Sequence, residues 1–232
     1  MPRSDARSAA RKITREEIVD AAIRVIDRDG PRPSMDDIAR EARITKPRLY
    51  RQFADKADLY TEIGNRMAVT AGAAAGNDLT LMLQPPRTAL HRVLTGYADS
   101  ILEHPNVFRF LGQAHVTQNT DGSVLQFDLG RAVAGRFAER AREIAESIPI
   151  AATGIDYLAR AVVGMVVAIT DLWLGDAEVS RPATTVEFVD QAVEFVWGLI
   201  DGFLRRQGIA VDPDTPIFTS LAAVNQSRQS AT

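Results

Sequence analysis

Apolar residues recur along most of this chain at spacings of three and four, the period of a helix packed on one side. Ile18, Ala21, Ala22, Val25 and Ile26 make the first such stripe. Thr14-Arg15-Glu16-Glu17 ahead of it is a capping-box pattern, with Thr14 as N-cap and Glu17 as its reciprocal partner, and Gly30-Pro31 stops the helix. Ser34-Met35-Asp36-Asp37 predicts a short second helix with Met35, Ile38, Ala39 and Ala42 inward. Arg43-Ile44 then form a tight connection. Thr45 is placed to cap a third helix reaching about Gln52, with Pro47 in the first turn, where its missing N–H costs little. Asp55 opens a fourth helix that buries Leu59, Ile63 and Met67 and runs into the small residues around 71–76.

Further helices are predicted at about 86–103, 106–117, 123–146, 154–174 and 184–206, separated by Pro or Gly signals such as Pro85-Pro86, Pro105, Gly122, Pro149 and Pro182. No segment sustains the period-two alternation of a strand. The fold class is therefore all-α, an N-terminal three-helix helix-turn-helix head followed by a helical ligand-binding and dimerisation body. The division expected is a flexible basic arm at 1–12, the head at 13–58, the body at 59–206 and a C-terminal tail at 207–232.

Charge sharpens this picture. The 232 residues carry a net charge of −3. Residues 1–68 hold 15 Lys and Arg against 12 Asp and Glu, so a weakly basic front precedes an acidic body. That asymmetry suits a nucleic-acid reader joined to a regulatory domain. The chain has no cysteine, which excludes thiolate metal sites, disulfides and a cysteine nucleophile. The polar first twelve residues do not resemble a signal peptide. The longest apolar run, 161–170 between Arg160 and Asp171, is shorter than a bilayer span, so a cytoplasmic protein with no membrane partner is expected. His91, His104 and His115 lack metal-ligand spacing, and there is neither a Gly-rich phosphate loop nor a nucleophile elbow. No catalytic residue, metal or cofactor is expected.

The third helix carries the candidate chemistry. Leu49 and Phe53 point inward, leaving Lys46, Arg48, Arg51 and Gln52 outward. Arginine pairs with guanine and glutamine with adenine in the major groove. An outward cationic face of this kind argues for a working reader and against a helical carrier whose head has lost contact with DNA. The stretch from Met35 through Asp36-Asp37-Ile38-Ala39, Ile44-Thr45-Lys46-Pro47-Arg48-Leu49-Tyr50-Arg51-Gln52-Phe53 and Lys56 to Leu59 resembles the head of the tetracycline-repressor (TetR) family. The resemblance implies a DNA-binding transcription regulator, of which the repressor released by ligand is the commoner form. It implies base reading by Lys46, Pro47, Arg48, Arg51 and Gln52. Tyr50 and Lys56 would hold phosphates, with Ser34 and Thr45 at the caps beside them. The alternative for Tyr50 is a core-edge residue. One departure stands out: the family usually has glycine in the turn where this chain has Arg43, which strains the turn if its φ is positive, or adopts another turn, or adds a phosphate contact.

Beyond residue 70 the resemblance is one of architecture only. The helices at 154–174 and 184–206 are apolar nearly all round, so each must be covered on two sides. Small residues one turn apart suggest close crossing: Gly164 with Ala168, Gly198 with Gly202. These positions, with Val196, Leu199 and Phe203, are expected to form the seam of a homodimer, whose paired heads would read an inverted repeat in double-stranded DNA. The remaining helices are expected to enclose a small apolar effector among Leu94, Tyr97, Ile101, Phe108, Leu111, His115, Phe127, Phe137, Met165 and Trp173, although plain core is the alternative for each.

Overall fold

The computed structural model describes residues 13–75, 83–117, 125–146, 151–175, 183–216 and 218–219. Among these there are nine helices and no strand: α1 Arg15–Asp29, α2 Met35–Glu41, α3 Lys46–Tyr50, α4 Lys56–Ala75, α5 Pro86–Glu103, α6 Pro105–Thr117, α7 Leu125–Glu146, α8 Ile155–Gly175 and α9 Thr185–Arg205. The helix starts follow local chemistry. Thr14 accepts from Glu17 N at 3.1 Å while Glu17 Oε2 accepts from Thr14 N at 2.9 Å, the reciprocal pair the sequence predicts. Thr184 and Glu187 repeat it at α9, at 3.2 and 2.8 Å.

Two main cores hold the molecule. In the head, Ile18, Ala22 and Ile26 of α1 meet Met35 and Ile38 of α2, Leu49, Phe53, and Leu59 and Ile63 of α4. This core also takes in Val107 and Phe110 of α6, both almost fully buried, with Phe110 edge-on to Tyr60 at 4.3 Å between ring centres. The head is thus closed by a body helix. In the body, α5, α8 and α9 bury Leu94, Ala98, Val162, Phe188, Val189, Ala192, Val193 and Val196 together. A smaller seam of Ala134, Ala138, Ala145, Ile155 and Ala159 lets α7 lie close along α8. After α9 the chain packs back rather than leaving the fold. Ile209 and Val211 are buried against Trp197, and Pro213 O accepts from Arg87 N at 3.2 Å.

α8 as a whole is long and apolar enough, by length and composition, to cross a bilayer, which the run 161–170 alone does not suggest. It nevertheless carries Asp156, Arg160 and Asp171, and Arg142 of α7 binds Asp156 at 2.5 Å. Its packing between α7 and α9 accounts for one flank, and most of its other flank is uncovered by its own chain.

Candidate nucleic-acid interface

Ser34 opens α2 by accepting from Asp37 N at 3.1 Å. The α2–α3 turn is a Schellman arrangement: Ile44 N donates to Ala39 O at 2.9 Å and Arg43 N to Arg40 O at 3.0 Å. The position between them needs a left-handed backbone, and Arg43 takes it with φ +55°, the one non-glycine residue with positive φ among the described residues. Of the two turn conformations the sequence left open for Arg43, the strained one is adopted.

α3 is five residues long, too short to persist unaided. Leu49 and Phe53, both fully buried, anchor it in the head core. Lys46, Pro47, Tyr50 and Arg51 are exposed, Tyr50 at 42% of its surface. Arg48 is half-buried beside the groove of about 810 Å³ between α1 and the α2–α3 turn, which Ile13, Asp20 and Ile44 also line.

Several expected details differ. The helix ends at Tyr50, not Gln52. Gln52 N turns back to Leu49 O at 2.9 Å, its carbonyl accepts from Arg15 Nη1 at 2.5 Å, and Gln52 sits half-buried in the following turn. Thr45 precedes α3 in extended conformation but makes no side-chain cap. The reason is local: Pro47 at the second helical position has no N–H, and Arg48 N already donates to Thr45 O at 2.9 Å. Lys46 is not unpaired, since its ammonium meets Asp36 Oδ2 at 2.9 Å, which raises its pKa above the ordinary lysine value. Ser34 has one hydroxyl proton and directs it to Asp37 Oδ2 at 2.5 Å, so reaching a phosphate requires it to turn away. That bond, then Arg40 at 2.8 Å, holds the Asp37 carboxyl below its usual range. Lys56 lies 5.2 Å from the Tyr60 ring centre, and burial lowers its pKa.

The head is tied to α4 and to the body by polar contacts that sequence periodicity does not reveal. Arg66 of α4 reaches Asp20 at 3.1 Å. His104 Nδ1, at the α5–α6 corner, meets Asp27 Oδ2 of α1 at 2.6 Å, and Asn106 Nδ2 donates to Asp27 O at 3.0 Å.

The effector candidates do not form one set. Leu94, Tyr97, Met165 and Trp173 come together in the core of α5, α8 and α9, closed by α9. Ile101 is buried and Phe108 half-buried, but Leu111 packs on the head core instead. Phe137 is 41% exposed. The side chains of His115 and Phe127 lie outside the described residues. Within the body core Trp173 stacks on Phe188 at 4.2 Å and donates its Nε1–H to Ala183 O at 3.0 Å. Tyr97 is the polar exception. Thr170, fully buried, gives its proton to Val166 O at 2.7 Å, so the 3.0 Å contact with Tyr97 is donated by the tyrosine. Burial pushes the Tyr97 phenol up to about 12.

The seam candidates divide as well. Val196 is buried in its own protomer's core with Leu199 packed partly against it, and Phe203 packs on the α7–α8 seam, because the wide apolar stripe of α9 needs cover from its own chain first. Gly164, Ala168, Gly198 and Gly202 are exposed. They lie in stripes with exposed Tyr157, Ala161 and Leu172 on α8 and Phe195 on α9, at helical spacing.

Residues 18–63 match the family described as bacterial regulatory proteins, tetR family, and residues 82–209 the tetracyclin repressor-like C-terminal domain. An uncharacterized HTH-type transcriptional regulator of Mycobacterium tuberculosis is 26% identical over 204 residues, 84% of this chain and 80% of its own length. A tetR-family transcriptional regulator from Streptomyces coelicolor superimposes with a TM-score of 0.62 at 20% identity, covering 92% of this chain and 99% of that one. BioQ with its natural double-stranded DNA operator superimposes at 0.56 with 20% identity, covering 83% and 98%.

Proposed function

Because this chain belongs to the TetR family and is a helix-turn-helix transcriptional regulator, we propose that it works as a homodimeric repressor, leaving an inverted-repeat operator when a small apolar molecule enters its body. The observation that carries the DNA-reading half is α3 itself: a short helix pinned by Leu49 and Phe53 with Lys46, Pro47, Tyr50 and Arg51 turned outward. Lys46, Arg48 and Arg51 supply the base-reading cations, Pro47 an apolar contact for a thymine methyl, and Tyr50 and Lys56 the phosphate holds. Gln52, in the turn, is the least well placed of the readers. Ser34 and Thr45 flank them at the helix starts. Reading a two-fold site needs two heads, and the BioQ complex with DNA is a precedent for this architecture on an operator.

Dimerisation falls to the exposed stripes of α8 and α9. An ideal Cβ added at Gly164, Gly198 or Gly202 meets nothing in the same chain, which suits close approach by a second copy. The effector reading rests on the body core around Leu94, Tyr97, Met165 and Trp173, where the polar groups are neutral hydroxyls; burying a charge there would be costly. Transmission runs through α4, covalently continuous with the head, and through α6, whose Val107 and Phe110 sit in the head core. A coupling of about 1–3 kcal/mol is enough to change operator occupancy several-fold to a hundredfold.

Selection of duplexes from a randomised library by the purified protein tests this. Enrichment of a short inverted repeat, with binding lost in Arg51→Ala and Tyr50→Phe, is the expected result. Recovery of duplexes without any shared sequence, bound weakly and released by salt, refutes it.

A further inference from the structure

Arg15, the first residue of α1, is the side chain on which the recognition helix and α4 converge. Its guanidinium lies 4.1 Å from the centre of the Phe53 ring. Nη1 donates to Gln52 O at 2.5 Å, Nη2 pairs with Asp58 Oδ1, and Glu62 Oε2 stands 3.7 Å away. Asp58 in turn accepts from Ala54 N at 3.0 Å through Oδ2, and its own N–H goes to Asp55 Oδ1 at 2.8 Å. The guanidinium therefore clips the carbonyl end of the turn after α3 and the first turn of α4 to the same point on α1.

The geometry matters because α3 has little of its own to orient it. Five residues form barely more than one turn. Leu49 and Phe53 fix its depth in the core, but two apolar anchors four residues apart leave it free to roll and tilt. A cation on the Gln52 carbonyl, two residues past its C-terminus, removes that freedom and complements the negative end of the helix. Only a planar guanidinium can meet the carbonyl, the carboxylate and the ring face together.

We propose, building on the DNA-reading role argued above, that Arg15 is a positioning residue for sequence discrimination: through Gln52 O and Asp58 it sets the angle of α3 relative to α4, and so the register of the base-reading side chains. The contrast with a plain phosphate contact is a difference of sign. Asp58→Asn removes a negative charge from the head, and charge alone would tighten binding to every duplex. Positioning predicts the reverse for the correct sequence.

The test uses the full-length protein, the duplex that the wild-type protein enriches from a randomised library, and a scrambled duplex of equal composition. Asp58→Asn and Arg15→Lys are each expected to weaken binding to the enriched duplex about tenfold, the worth of roughly one misplaced base contact, while binding to the scrambled duplex holds or tightens. Arg15→Lys keeps the charge and supplies the test independently should Asp58→Asn fold poorly. A merely structural role would lower the melting temperature and reduce both affinities alike, leaving their ratio intact; that result overturns the proposal. So does a wild-type ratio in Arg15→Lys combined with a salt slope that falls by about 0.9 in Arg15→Gln, which would make Arg15 a phosphate contact. If the wild-type protein enriches no duplex, the DNA-reading role fails first and this inference falls with it.

Discussion

Replacing Arg43 by glycine removes a strain that this chain carries in its helix-turn-helix turn. Arg43 stands at the position after the α2 cap with φ +55°, where its Cβ crowds the following carbonyl. The Schellman bonds from Ile44 to Ala39 and from Arg43 to Arg40 hold it there. A left-handed residue other than glycine costs about 1–2 kcal/mol. Glycine returns part of this as extra freedom in the unfolded chain, about 0.5–1 kcal/mol. The net gain is up to about 1.5 kcal/mol, and at about 2–4 °C per kcal/mol for a chain of this size the melting temperature rises by up to about 6 °C. Arg43→Ala is the necessary comparison, because it discards the side chain and keeps the Cβ. Thermal unfolding of the three proteins at one concentration, needed because dimerisation makes melting concentration-dependent, should place glycine highest with alanine at or below arginine. If glycine and alanine melt together, the strain is not in the backbone and the reasoning fails.

Two further outcomes follow from the body. Gly198→Arg adds a long side chain where a Cβ meets nothing within the protomer, so the helical content should survive while light scattering reports monomers; a dimer of unchanged affinity would remove α9 from the seam. Tyr97→Phe should alter the alkaline stability of the protein in a defined direction. The wild-type phenol keeps its proton up to about 12 when folded but loses it near 10 when unfolded. Its contribution is thus complete below pH 10 and lost as the pH rises to 12, a decline of up to about 3 kcal/mol. The phenylalanine variant should lack that decline in urea titrations at pH 9, 10 and 11; parallel curves for the two proteins would contradict the assignment.

The sequence determined by itself those features whose causes are local. The Thr14–Glu17 capping box, the stops at Gly30 and Pro105, and the five body helices were legible within a residue or two, because caps and breakers act on the backbone beside them. Leu49 and Phe53 were legible as anchors of α3 for a similar reason: in a helix with one apolar flank, spacing alone says which side faces in. The TetR-like order of residues from Met35 to Leu59 added the identity of the head. Tertiary structure decided everything that depends on how one helix lies against another. α9 carries an exposed polar row at Glu187, Asp190, Gln191 and Glu194, so periodicity already placed Val189, Ala192, Val193 and Val196 inward, but only packing against α5 and α8 decided that Gly198 and Gly202 beside that row stay uncovered. It likewise put Asp36 beside Lys46, Asp27 beside His104, and Asp58 beside Arg15, pairs whose members are 10, 77 and 43 residues apart. Charged side chains on solvated faces carry no periodic mark of their partners. Their pairing is fixed by the angles at which buried apolar faces come to rest, and those angles are a property of the whole packed core.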